Sequence, residues 1–128
     1  MDSHGTAAIV RAYYDSWTSR DFARAVALLD GRLTVEVPVN DYPTAESFGA
    51  ALKAFGSMAA SVRLLAEMSA GNEAMLLYDM DVVPLGTLRV AEHFTVAGGR
   101  ITRIRQIHDT AAIRAAGLAG HDDPAGAR

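Results

Sequence analysis

Cysteine is absent from the chain, which excludes disulfide frameworks, thiol nucleophiles and cysteine-ligated zinc, and fits a reducing compartment. A basic run is missing too. The arginines are scattered and the net charge is −3, so the electrostatic footprint of a nucleic-acid binder is not there. No apolar stretch approaches membrane-spanning length, and Met1-Asp2-Ser3-His4-Gly5 lacks the basic start and apolar run of a signal peptide. The expectation is a soluble, unprocessed, cytoplasmic protein with neither nucleic-acid nor membrane partners. Gly98-Gly99 sits between strands rather than between a strand and a helix, so no phosphate-binding loop is formed. His93, His108 and the dispersed carboxylates follow neither zinc-helix nor calcium-loop spacing. Neither metal nor cofactor is expected. The 128 residues divide into one domain over residues 1–116 and a tail, 117–128, whose Gly, Ala and Asp content predicts flexibility.

What is present is strongly patterned. Val10, Tyr13, Tyr14 and Trp17 fall at i, i+3, i+4 and i+7, which predicts an amphipathic helix over Thr6–Thr18. Ser19 or Asp21 caps a second helical segment with Phe22, Val26 and Leu29 on its buried side, ended by Asp30-Gly31. Leu33–Val37 reads as a short strand closed by Pro38, which has no N–H for a ladder. Thr44 caps a third helix with Glu46 in its first turn and Phe48, Ala51, Leu52 and Phe55 as its stripe, closed by Gly56. Val62–Met68 alternates as a strand and turns through Ala70-Gly71-Asn72-Glu73 into the stretch Ala74–Asp109. Two breakers, Pro84-Leu85-Gly86 and Ala97-Gly98-Gly99, cut that stretch into three strands of an antiparallel meander. Thr110–Ala116 adds a short helical turn. Helices followed by mostly antiparallel strands are the α+β pattern.

Several side chains on these elements can carry chemistry. Asp79 and Asp81 share a strand face, and two carboxylates a few Å apart can share a proton, with one pKa raised toward neutrality. The other reading is a solvated face, or salt bridges to arginines such as Arg103 and Arg105. Tyr13, Tyr14 and Trp17 can be core, and a tyrosine hydroxyl can also serve a developing oxyanion. Glu36 and Glu92 need partners if buried. Gln106 and His108 face inward if Ile104 does, but the face with Ile101 and Ile107 is equally apolar, so strand parity leaves His108 open as an acid–base group or a surface histidine.

The helical opening IVRAYYDSWTSRDFARAVALL, the strand ending VEVP and the closing FTVAGGRITRIRQIHD resemble the nuclear transport factor 2-like superfamily, in particular its SnoaL-like branch, over about Ala8–Asp109. The resemblance implies a cone-shaped, curved, mostly antiparallel sheet packed on N-terminal helices, as in cystatin-like folds, with a pocket between the layers. It also implies a homodimer through the outer sheet face, for which Tyr78, Met80, Ala91, His93, Arg103, Arg105 and Ile107 are the candidates. That scaffold serves cyclases, isomerases, hydrolases, dehydratases and non-catalytic binders. The outline is similar to limonene epoxide hydrolase, whose arginine and catalytic aspartate correspond to Asp79 and Asp81. Its second aspartate falls on Gln106, and its tyrosine and asparagine fall on Thr34 and Glu36. It is similar also to ketosteroid isomerase, whose oxyanion tyrosine corresponds to Tyr13 while its carboxylates fall on Val37 and near Val90. Two readings follow. One is a cofactor-independent enzyme of cyclase, epoxide hydrolase, isomerase or dehydratase type, acting by acid–base chemistry on an apolar, oxygen-bearing small molecule. In it Asp81 is the base, Asp79 or His108 the proton partner and Tyr14 a donor. The pocket is formed by Tyr13, Tyr14, Trp17, Glu36, Phe55, Glu92, Phe94 and Gln106. The other reading is a non-catalytic small-molecule-binding or dimerisation module.

Overall fold

The computed structural model describes residues 3–40 and 42–117. Helix α1 (Ser3–Thr18) carries the stripe that its spacing predicts: Val10, Tyr13, Tyr14 and Trp17 are all buried. Thr6, also buried, donates its hydroxyl to the carbonyl of Gly71 at 2.7 Å, which ties the start of the helix to a hairpin turn of the sheet. Asp21 caps α2 (Phe22–Ala27) by accepting the N–H of Arg24. Thr44 and Ser47 form a reciprocal capping box at the start of α3 (Ala45–Gly56). A Cβ on Gly49 would come within 2.8 Å of the Val26 side chain, so glycine there is what lets α2 and α3 touch.

The sheet contains β1 (Leu29–Glu36), β2 (Ala59–Ala70), β3 (Glu73–Val82), β4 (Gly86–Ala97) and β5 (Arg100–Ile107), in the order β1-β5-β4-β3-β2. Strands β2 to β5 form an antiparallel meander, one strand longer than the three expected, and β1 joins β5 in parallel. β1 begins at Leu29, not Leu33. Leu29 is buried opposite Ile101, and an irregular register between Leu29 and Thr34 absorbs the Asp30-Gly31 pair that was expected to end a helix. Ala74, Leu76, Tyr78, Met80 and Val82 of β3 and Leu88, Val90, Glu92, Phe94 and Val96 of β4 are buried on the face toward the helices. Tyr78 and Met80 therefore do not belong to the outer face, where dimer contacts were expected. An alternating set of four apolar side chains and one tyrosine decides the parity of β3.

Bulges bend this sheet. Leu65 is extra in β2 against β3, and Thr102 is extra in β5 against β4. Because of Thr102, both Ile101 and Ile104 point inward and are fully buried, which strict alternation forbids. α4 (Ala111–Ala115) follows β5 and buries Ile113. Of the expected tail, residues 118–128 lie outside the described residues. Among the described residues no helix is long and apolar enough to cross a membrane.

Candidate functional site

A cavity of about 280 Å³ lies between the helices and the inner sheet face. Tyr13 and Trp17 of α1 and Phe48, Leu52 and Phe55 of α3 form one wall, with Tyr78, Met80, Val90, Glu92 and Gln106 of the sheet opposite. Asn40, Tyr42, His108 and Ile113 also line it. The lining is mostly apolar, so its few polar groups stand out.

Glu92 is the most consequential of these. Its side chain is fully buried, the Tyr78 hydroxyl donates to its Oε1 at 2.9 Å, and the Gln106 Nε2–H donates to its Oε2 at 2.7 Å. Burial penalises the charged form and pushes the carboxyl up to about 7, against the opposing pull of the Gln106 and Tyr78 hydrogen bonds. Both of its partners are neutral. Tyr13 sits at the same cavity with its hydroxyl buried and, among the described residues, without a hydrogen-bond partner. Burial, reinforced by the charge of Glu92, raises the Tyr13 phenol well above its ordinary value, and the same two causes raise Tyr78. Both hydroxyls therefore keep their protons at neutral pH.

Of the residues expected from the sequence, Tyr13, Trp17, Phe55, Glu92, Gln106 and His108 line the cavity. The Thr102 bulge settles the open parity of β5 and turns Gln106 and His108 inward. Phe94 is buried behind Tyr13, edge-on with centroids 5.7 Å apart, and does not line the cavity. Tyr14 packs on Trp17 and Tyr78 outside the lining. Glu36 is on the outer side, paired with Arg103 at 3.1 Å.

Asp79 and Asp81 do not open into the cavity. They lie on the outer face of β3, where the register puts Arg63 and Arg89 on either side of Asp79, and Ser61 and Thr87 on either side of Asp81. Arg89 grips Asp79 through two hydrogen bonds, Nε to Oδ1 at 2.7 Å and Nη2 to Oδ2 at 2.8 Å. Ser61 and Thr87 donate to Asp81 at 2.7 and 2.6 Å. These partners, Arg89 foremost for Asp79 and Thr87 for Asp81, hold both carboxyls below an ordinary aspartate's value. The expected raised pair is thus corrected, and the arginines that serve it are Arg63 and Arg89, not Arg103 and Arg105.

Sequence reasoning missed Tyr78 as the partner of Glu92, although its place in the alternating series Leu76, Tyr78, Met80, Val82 was the available signal. Nothing local marked Asn40 and Tyr42, which come from the segment between β1 and α3, or Ile113, which comes from the short α4. Among the described residues no group of three or more His, Asp or Glu side chains could hold a metal.

The comparisons agree with this architecture. A protein of Kribbella flavida DSM 17836 is 32% identical, with a TM-score of 0.80, covering 87% of this chain and 92% of its own. A candidate ketosteroid isomerase from the same organism is 15% identical with a TM-score of 0.75, covering 84% of this chain and 79% of that one. An NTF2-like protein of unknown function from Cytophaga hutchinsonii ATCC 33406 is 16% identical with a TM-score of 0.74, over 85% and 94%. These last two likenesses show the fold alone. No curated protein matches the chain. The family model of the SnoaL-like domain matches residues 10–104, and with this curved open sheet closed by N-terminal helices the chain belongs to the SnoaL-like family of the NTF2-like superfamily.

Proposed function

We propose that the cavity is the active site of a small isomerase or cyclase that moves a proton on an apolar, carbonyl-bearing molecule without a cofactor. Glu92 is the acid–base group and Tyr13 the donor to the developing oxyanion. The carboxylate takes a proton from the carbon beside the carbonyl, the electron pair of that C–H bond forms the enolate, and the negative charge gathers on the oxygen. The Tyr13 O–H meets that charge. Glu92 then returns the proton to the same carbon or to another. A group that titrates near 7 is matched to this exchange at neutral pH.

The observation that carries this reading is the Tyr13 hydroxyl, a buried donor with no acceptor among the described residues at the cavity that holds a buried carboxylate. An unmet donor costs about 1–3 kcal/mol, and a ligand oxygen would supply what is missing. At interior packing density a cavity of about 280 Å³ encloses roughly a dozen non-hydrogen atoms, so monocyclic and bicyclic ketones are the class to try. The test is α-deuteration of a panel of such ketones in D2O, followed by NMR. Wild type should accelerate exchange, with a rate that rises as pH passes about 7 and Glu92 ionises. Glu92→Gln should lose roughly a hundredfold or more, and Tyr13→Phe a comparable factor. Exchange that is undiminished in Glu92→Gln would sink the assignment. A second reading, a non-catalytic binder, is favoured by one fact: both oxygens of Glu92 are already hydrogen-bonded within the protein. That reading predicts ketone binding that depends on Tyr13, with no deuteration.

The proposal includes a cytoplasmic homodimer joined by the outer sheet face, where Ala91, His93, Arg103, Arg105 and a 73% exposed Ile107 mix apolar groups with arginine in the manner of an interface. A monomeric mass by sedimentation at micromolar concentration would remove that part.

A further inference from the structure

A group that passes a proton on must be accommodated both with and without it, and the inference drawn here rests on that role for Glu92. As a carboxylate Glu92 accepts from Tyr78 and from Gln106. Once protonated, it has become a donor and needs an acceptor. Tyr78 can accept only by turning its own proton away, in a site that buries it completely. Gln106 is chemically different, because its primary amide carries a donor and an acceptor at the same distance from the chain, and a half turn of the terminal torsion exchanges them.

The fold places that amide where it is needed. Glu92 and Gln106 are direct partners across β4 and β5, so their side chains leave the sheet on one face and meet at 2.7 Å. Gln106 is only half-buried. It lines the cavity on one side and an outer groove with Ala91, His93 and Ile107 on the other, which leaves room for the amide to turn. The other titratable groups lining the cavity with Glu92 are few: Tyr13 from α1, Tyr42 before α3, Tyr78 from β3 and His108 beyond β5, while α3 contributes only apolar side chains. Among the described residues no Arg or Lys lines the cavity. An arginine at position 106 would lock the carboxyl ionised, and a leucine would leave it protonated. We propose that Gln106 is the positioning residue that makes Glu92 reversible, donating to the carboxylate and accepting from the carboxylic acid.

The test is a titration of side-chain carboxyl carbons by NMR in protein labelled at glutamate, with the Glu92 signal assigned from its loss in Glu92→Gln. In wild type the signal should titrate near 7. In Gln106→Leu the midpoint should rise by about one pH unit or more, and in Gln106→Arg it should fall by about as much. Should the arginine variant fail to fold, Gln106→Lys makes the same demand. The pH profile of ketone deuteration should move with the midpoint in each variant, and both variants should exchange more slowly than wild type at pH 7. A merely structural glutamine would change melting temperature and leave the two midpoints together. Midpoints that stay at the wild-type value, or that move in the same direction in both variants, would overturn the proposal. Opposite shifts in a protein that deuterates no ketone would uphold the role of Gln106 and defeat the proton-transfer reading instead.

Discussion

Three carboxylates within fourteen residues of this sheet meet three different fates, and the side chains across the strands decide each one. Asp79 lies between two guanidiniums and Asp81 between two hydroxyls, so both are held low, whereas Glu92 meets only neutral donors inside the core and is driven up. Asp79→Asn and Asp81→Asn should therefore leave ketone deuteration within about twofold of wild type, as befits groups remote from the reacting atoms. Their effect should appear in stability. A carboxyl held low in the folded state stabilises it above the unfolded value, and that stabilisation is lost as pH falls through the folded value. Urea midpoints should show both variants weakest relative to wild type near pH 7 and nearly level with it in strong acid. This placement was partly legible. With the hairpin turning at Pro84, Asp79 must stand opposite Arg89 and Asp81 opposite Thr87, and the alternate residues of the same strand, from Ala74 to Val82, are apolar apart from the hydroxyl of Tyr78. Family outline drew the aspartates inward, and elementary pairing would have kept them out.

Elements were easier to read than faces. The stripe of α1 and the caps at Asp21 and Thr44 follow from local chemistry, and the structure has them where the sequence indicated. Thr44→Ala removes one half of a reciprocal cap and should cost about 1 kcal/mol, lowering the melting temperature by roughly 3–5 °C. The caps at α2 should be unaffected by it. The inward set of β5 was not legible, because an extra residue changes parity without changing composition, and both candidate faces are apolar. Nor could local pattern announce that Asn40, Tyr42 and Ile113 close one cavity, since these residues meet only after the sheet has curved. The start of β1 was misjudged for a related reason: Asp-Gly normally stops an element, and only pairing of Leu29 with Ile101 carries the strand through it.

For the molecule as a whole, the buried carboxyl of Glu92 is a standing cost to stability. Between an ordinary glutamate's 4.5 and about 7 the folded protein holds a proton that the unfolded chain has released, so stability falls as pH rises through that interval. The total is on the order of 3 kcal/mol. Glu92→Gln should accordingly unfold at higher urea than wild type at pH 8, with the advantage gone at pH 5, even as it slows exchange roughly a hundredfold or more. A functional group that weakens its own fold is a common sign of an active site. The Thr102 bulge has a consequence of another kind, one of chain length. Because Thr102 is the single residue by which β5 exceeds its partner, its deletion leaves a regular ladder in which Ile101 still stands opposite Val96, Ile104 opposite Phe94 and Gln106 opposite Glu92. What goes with it is the local bend that an extra residue gives a strand. A chain shortened by that one residue should therefore keep the amide partner of Glu92 and its midpoint near 7, and the change should appear instead as a flatter sheet that closes less well around the cavity.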